Sequence, residues 1–165
     1  MKKINKKTYI FLKFLFTFLL LFIVVMFLIV TVLKHETITY GNVDVTVGKY
    51  PKLKVSNEES ALTNESTIIS LDNNSESVIN YKLYFTVDKT STIDTKYIRL
   101  NFNNKTYDLS KINYLEINNK YYYFIQEGTI DAKTSEPFDS YLWIDSSFNG
   151  DLNESKIFVD YDTLA

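Results

Sequence analysis

The chain contains no cysteine and a single histidine, His35. Without cysteine no disulfide framework exists, so any folded domain must be held by its core alone. His35 lies before the polar C-terminal part of the chain. That part therefore cannot contain a Ser–His or Cys–His triad, or a zinc site of the H-E-x-x-H kind. No S-x-x-K occurs, and no carboxylate pair stands out. The sequence therefore predicts a protein that is not an enzyme, with a carboxylate-based hydrolase as the less favoured alternative.

The segment from Phe14 to Leu33 lacks charge, proline and glycine, and its only polar side chains are Thr17 and Thr31. As a helix it would be roughly 30 Å long, which matches the hydrocarbon core of a bilayer. Backbone groups in lipid must pair within their own segment, and a helix does this. We therefore expect residues 14–33 to form one transmembrane helix that contacts the lipid bilayer.

Basic residues flank this segment unequally. The predicted flanks of the membrane anchor are Lys2, Lys3, Lys6, Lys7, Lys13 and Lys34. The excess of lysine on the N-terminal side predicts a cytoplasmic N-terminus and an extracytoplasmic C-terminal domain. No A-x-A cleavage site follows the segment, so we expect an uncleaved signal anchor in the cell membrane. A type IV pilin stalk is the alternative, but its Gly-Phe processing junction is missing.

These features predict four parts: a basic cytoplasmic tail (1–13), the anchor (14–33), a juxtamembrane linker (34–42) and an extracytoplasmic domain (43–165). All 20 acidic residues follow the anchor, with 12 of the 18 basic ones, so this region carries 12 − 20 = −8. Such a negative charge argues against nucleic acid and anionic lipid as partners of the domain.

Apolar and polar residues alternate through most of the domain, which is typical of half-buried strands. Predicted strands cover Glu36–Gly48, Lys52–Val55, Thr67–Leu71, Ser77–Asp88, Tyr97–Phe102, Lys105–Leu109, Lys120–Ile125, Phe138–Asp145 and Lys156–Tyr161. Asn103-Asn104 predicts a hairpin turn, and Gly128 predicts a break after the aromatic strand. The segment 57–66 reads as a loop, and 109–115 as one helical turn.

Seven to nine short strands with turns between them predict an all-β fold, an antiparallel two-sheet sandwich preceded by the transmembrane helix. A small barrel is the alternative. The inner faces would hold the alternating isoleucine, leucine, valine and phenylalanine side chains.

Two segments are candidate sites. The run from Asp145 to Glu154 offers hard oxygen ligands for calcium, at Asp145, Asn149, Asp151 and Asn153. Its spacing is not that of an EF-hand, and a solvated hairpin loop is the alternative. The aromatic run Tyr121–Phe124 suggests ligand stacking, although half of its side chains should face the core. No other cofactor is predicted.

Short runs near the C-terminus, Tyr141–Asp145, the Asn-Gly-Asp loop at 149–151 and Lys156–Val159, resemble small anchored Gram-positive proteins of the camelysin and TasA biofilm matrix group. Upstream, Asn80–Tyr84 and Lys96–Leu100 follow the same order. The resemblance implies a jelly-roll-like sandwich and, for fibre-forming members, donation of a strand between subunits. Thr37–Val47 would be the donor here. No metalloprotease ligand set accompanies it.

Together these features predict a non-enzymatic, single-pass cell-surface protein. Its extracytoplasmic sandwich would mediate interaction or assembly, by binding a protein partner or itself through a sheet edge. The alternative is an accessory subunit of a membrane or secretion complex.

Overall fold

The structure is a computed structural model that describes residues 6–33 and 43–164. Side chains are described at 13–26 and 43–164. The described chain divides into an N-terminal helix and a β domain, each a compact unit of its own.

Helix α1 covers Lys6–Leu33. From Phe14 to Met26 every side chain of α1 is exposed. The Thr17 hydroxyl donates a 2.8 Å hydrogen bond to the carbonyl oxygen of Lys13. Among the described residues, no helix combines the length and apolar character that a membrane span requires. The predicted span 14–33 runs past the side chains that are described, and the flank residues Lys2, Lys3 and Lys34 and the linker 34–42 lie outside the described residues.

The domain is mostly β, as predicted, and its strands form two antiparallel sheets. One sheet has the order β1-β3-β9-β5-β6, with β2 added in parallel to one end of β9; the other has the order β10-β4-β8-β7. The strands are β1 Asp44–Val47, β2 Val55–Ser56, β3 Thr67–Asn73, β4 Ile79–Asp88, β5 Ile98–Phe102, β6 Lys105–Asp108, β7 Tyr114–Ile117, β8 Lys120–Ile130, β9 Thr134–Asp145 and β10 Val159–Leu164.

The core lies between the two sheets and is filled by the side chains that the alternation predicted. On β4 the inward set Ile79, Tyr81, Leu83, Phe85 and Val87 is buried throughout. Ile98, Leu100 and Phe102 of β5 belong to the same cluster. Hydrogen bonds also join the sheets, since Ser140 on β9 and Tyr161 on β10 are 2.7 Å apart through their hydroxyls.

Two Asn-Asn pairs close the tight hairpins. Asn103 and Asn104, between β5 and β6, adopt φ of 48° and 62°, which confirms the predicted turn. Asn118 and Asn119 form the same turn between β7 and β8, with φ of 48° and 67°. Asparagine tolerates the left-handed region better than most residues, so both turns arise from local sequence.

The segment 57–66, predicted as a loop, contains a one-turn helix, α2, at Glu58–Ala61. Asn57 caps it, because its side-chain oxygen accepts a 2.9 Å hydrogen bond from the Ser60 N–H. Ala61 is buried where α2 contacts β9. The loop prediction was wrong at this turn because a four-residue helix has no periodicity of its own.

The break predicted at Gly128 was also wrong. Strand β8 runs on to Ile130, and Gly128 pairs with Tyr81 of β4. A Cβ at position 128 would lie 2.9 Å from the Tyr81 hydroxyl and 3.1 Å from Cζ, so glycine makes room for this ring. The irregularity lies nearer Ile125, where the register with β4 shifts between Leu83 and Tyr84.

Between β6 and β8 the structure differs from the expected helical turn over 109–115. A 3-10 turn covers only Leu109–Lys111, with Asp108 as its cap, and β7 follows at Tyr114–Ile117. The last strand, β10, begins at Val159 rather than at Lys156. The first difference adds a strand where the apolar alternation is short, and the second moves the last strand toward the C-terminus, to Val159–Leu164.

Candidate functional site

Of the predicted calcium ligands, Asp145 is the last residue of β9, and Asn149, Asp151 and Asn153 lie in the segment that leads from β9 to β10. These strands belong to different sheets, so the segment crosses between sheets rather than closing a hairpin. Asp151 Oδ1 accepts hydrogen bonds from the backbone and side-chain nitrogens of Asn153, at 2.8 and 3.1 Å. No group of three or more acidic, histidine or cysteine side chains suited to a metal occurs among the described residues. Calcium binding here stays a prediction.

Asp145 is held by other partners. Its Oδ1 accepts from the Ser147 hydroxyl at 2.6 Å and the Ser147 N–H at 3.0 Å, while Oδ2 lies 3.2 Å from Arg99 Nη2. Those Ser147 bonds, with the Arg99 charge, lower the pKa of Asp145. Arg99 also contacts Asp108, at 3.0 Å through Nη1. Asp145 thus belongs to an ion-pair network that joins β5, β6 and β9.

The aromatic strand divides its side chains between two faces. Tyr123 is fully buried in the core, whereas Tyr122 and Phe124 lie on the outer face of the four-stranded sheet. Tyr84 packs edge-on against both, with ring centroids 6.1 and 5.8 Å away. Leu115 of β7 pairs with Tyr122 and extends the same surface. We call Tyr84, Leu115, Tyr122 and Phe124 the outer patch.

Strand β7 forms one margin of this sheet, and no described strand pairs with its free side. Tyr114 and Leu115 are 54% and 50% exposed. Its only charge, Glu116, pairs with Lys89 of the neighbouring segment. Protein edge strands are usually protected by lysine, proline or a bulge. Strand β7 has no lysine, proline or bulge, although it is only four residues long.

A groove of about 920 Å³ lies beside β9 on the other sheet. Strand β3 pairs with β9 only up to Ser140 and β2 pairs from Ile144, so residues 141–143 have no described strand on this side. The chain between β2 and β3 frames the opening. Trp143 is 3% exposed and lines the groove together with Tyr141 and Ala61.

Three lysines line the same groove, Lys49, Lys52 and Lys54, and we call it the lysine groove. All three are exposed. Lys54 Nζ lies 3.3 Å from the amide oxygen of Asn64, and none of the six described ion pairs involves any of the three. The sequence analysis missed them. The available signal was the absence of acidic residues from 45 to 57, around lysines at 49, 52 and 54.

Tyr50 also lines the groove, and its hydroxyl is buried without a hydrogen-bond partner among the described residues. Burial, and secondly the charge of Asp160, raise the pKa of Tyr50 well above its ordinary value. Tyr50 is therefore neutral at physiological pH, and the positive charge of the groove comes from lysine alone.

Comparison with known proteins gives no further assignment: no family model, no curated protein and no solved structure matches this chain.

Proposed function

We propose that this is a non-enzymatic, single-pass protein of the cell surface whose extracytoplasmic domain mediates assembly through the β7 edge. The observation that carries the proposal is the unpaired edge strand β7, on which Tyr114 and the outer-patch residue Leu115 are exposed. The most economical partner is a second copy of the chain, because two β7 edges can pair about a two-fold axis.

The anchor is supported by the uncharged run 14–33, by the lysines before it and by the helix over Lys6–Leu33. A jelly-roll-like sandwich related to the camelysin and TasA group is part of the same proposal. The sandwich part of this proposal is supported by the way the chain alternates between the two sheets. It passes from one sheet to the other between β3 and β4, β4 and β5, β6 and β7, β8 and β9, and β9 and β10. Retention by the anchor favours attachment to the cell over release as a fibre.

The register of the β7–β8 hairpin defines which backbone groups of β7 would form hydrogen bonds with an added strand. The residues that flank a two-residue turn form a hydrogen-bonded pair, so Ile117 and Leu115 direct their N–H and C=O groups toward β8. Tyr114 and Glu116 direct theirs toward the free side. An added strand would form up to four backbone hydrogen bonds there, each with a net contribution of about 1 kcal/mol.

Glu116→Pro tests this edge selectively. Proline removes the N–H that faces the free side while the pairing of β7 with β8 is kept, and proline is tolerated on sheet edges. Glu116→Gln is the matched control, because it loses the ion pair with Lys89 but keeps the N–H. Sedimentation of the full chain in detergent, over a hundredfold concentration range, measures association.

We expect the natural chain and Glu116→Gln to associate as concentration rises, and Glu116→Pro to remain monomeric. A natural chain that is monomeric throughout, or a proline variant that associates equally well, would contradict the proposal. Co-purification of a monomeric chain with a membrane complex would instead favour the accessory-subunit function.

A further inference from the structure

The lysine groove is positively charged, whereas the domain around it is negatively charged. Residues 43–164 contain 12 basic and 19 acidic side chains, a net charge of −7. Three of those 12 basic side chains line the groove, and Glu65 is its only acidic one, so the groove itself carries +2. The three lysines form no described ion pair, so their like charges repel one another, and an anion bound among them would relieve that repulsion.

The other lining groups favour a ligand rich in hydroxyls. Asn64, Ser66 and Thr63 line one wall; their side-chain donors bond within the protein, and their oxygens can accept from ligand hydroxyls. The half-buried Tyr141 offers an aromatic face. A volume of about 920 Å³ is within the range of binding sites for small organic ligands. The opening is a groove beside an unpaired stretch of strand, so an extended ligand can enter lengthwise.

We propose that the lysine groove binds an anionic carbohydrate, with Lys49, Lys52 and Lys54 contacting its phosphate or carboxylate groups. Asn64 and Ser66 contact sugar or polyol hydroxyls, and Tyr141 packs against the chain of the ligand. This site is separate from the β7 edge, which belongs to the other sheet. The binding proposal therefore does not depend on assembly.

Trp143 provides a direct measurement, because it is the only tryptophan of the chain and it lines the groove. The full chain in detergent is titrated with four probes: a glycerol phosphate oligomer, an oligogalacturonate, a neutral glucose oligomer of the same length and a single-stranded oligonucleotide. Tryptophan fluorescence and calorimetry follow binding at two salt concentrations.

We expect saturable binding of at least one of the two anionic carbohydrates, weakened by salt, and weaker binding of the neutral oligomer. The phosphate and carboxylate probes distinguish the two sources of negative charge. The triple variant Lys49→Gln/Lys52→Gln/Lys54→Gln should weaken binding about tenfold or more, since three exposed contacts together contribute on the order of 1.4 kcal/mol.

The matched control is Lys105→Gln/Lys111→Gln/Lys156→Gln, which removes the same charge at exposed positions away from the groove. It should leave the dissociation constant within about twofold, because distant exposed charges are screened. Equal losses in both triple variants, binding of the oligonucleotide as tight as that of the carbohydrates, or no saturable binding to either anionic carbohydrate would each overturn the proposal.

Discussion

At the scale of single residues, two tyrosines show how differently a buried hydroxyl can be accommodated. The Tyr161 hydroxyl shares a 2.7 Å hydrogen bond with Ser140 inside the core, whereas the Tyr50 hydroxyl is buried with no partner among the described residues. A satisfied buried hydroxyl contributes to stability, and an unsatisfied one costs free energy. The sequence does not distinguish them, because both tyrosines lie in alternating or extended segments.

The pair Tyr50→Phe and Tyr161→Phe tests this contrast. We expect Tyr50→Phe to raise the free energy of unfolding by up to about 1 kcal/mol, and Tyr161→Phe to lower it by about 1–2 kcal/mol because Ser140 loses its partner. Urea unfolding followed by Trp143 fluorescence measures both. Equal losses in the two variants would show that Tyr50 finds a partner, such as water, in solution.

The same variants predict a dependence on alkaline pH. Burial is the main cause that raises the pKa of both tyrosines in the folded domain. The stabilisation from a neutral tyrosine is present below the unfolded pKa of about 10 and is lost as the pH rises above it. Between pH 7 and pH 10.5, the free energy of unfolding of Tyr50→Phe should therefore rise further relative to that of the natural chain. The amount by which Tyr161→Phe is less stable than the natural chain should shrink over the same range.

Arg99 is the only arginine of the chain, and it forms ion pairs with two carboxylates at once, those of Asp108 and Asp145. For Asp108, burial by itself raises the pKa, but hydrogen bonds from Ser110 and Lys111 and the Arg99 charge outweigh it and lower the pKa overall. The pKa of Asp145 is lowered as well. Both aspartates thus stabilise the fold above the unfolded pKa of about 3.9, and this contribution disappears as the pH falls through their folded values.

Arg99→Gln should lower the free energy of unfolding by about 1–3 kcal/mol at pH 7, because two partly buried carboxylates lose their cation. The loss should be smaller at pH 3, because the stability from carboxylates with a lowered pKa declines as the pH falls below the unfolded pKa of about 3.9. Lys111→Gln is the control, since Lys111 is exposed and its one described ion pair is with Asp108. An equal loss at both pH values would mean that packing of the arginine stem, rather than its charge, is responsible.

At the scale of elements, the sequence predicted strands wherever apolar alternation was long. Strands β4 and β5 and the Asn103-Asn104 turn follow from periodicity and turn chemistry alone. Helix α2 was missed because four residues are too short to establish a helical period. Strand β7 was missed because Glu116 is its only polar residue, so apolar and polar side chains do not alternate along it. The lysine groove was missed for another reason: it forms where β2 and β3 both leave β9, and that convergence is tertiary.

Gly128 was predicted to break its strand, but glycine is needed there because a side chain of the neighbouring strand lies close to it. Glycine in the strand leaves room for the Tyr81 ring, so Gly128→Ala should cost about 1–3 kcal/mol through overpacking. Tyr81→Phe removes the nearest atom, and the double variant should lose less than the sum of the two single losses. Thr129→Ala, at an exposed neighbouring position, is the control. Strict additivity in urea unfolding would exclude the proposed clash.

At the scale of the whole molecule, charge is strongly segregated along the chain. Every acidic residue follows the apolar run, and five of the six lysines that flank it precede it. The proposed orientation, with the N-terminus in the cytoplasm, rests on this asymmetry rather than on any short motif, because lysine-rich segments tend to stay in the cytoplasm. The same segregation makes the domain acidic, so the three lysines of the groove stand out against its charge.

The absence of cysteine makes this orientation directly testable, because any introduced cysteine is the only thiol of the chain. We expect Glu154→Cys, at an exposed position of the β domain, to react with a membrane-impermeant maleimide on intact cells. Asn5→Cys, in the basic tail, should react only after permeabilisation. The natural chain is the unlabelled control. Reaction of Asn5→Cys on intact cells would reverse the orientation, and a mature chain beginning near residue 35 would replace the retained anchor with a cleaved signal peptide.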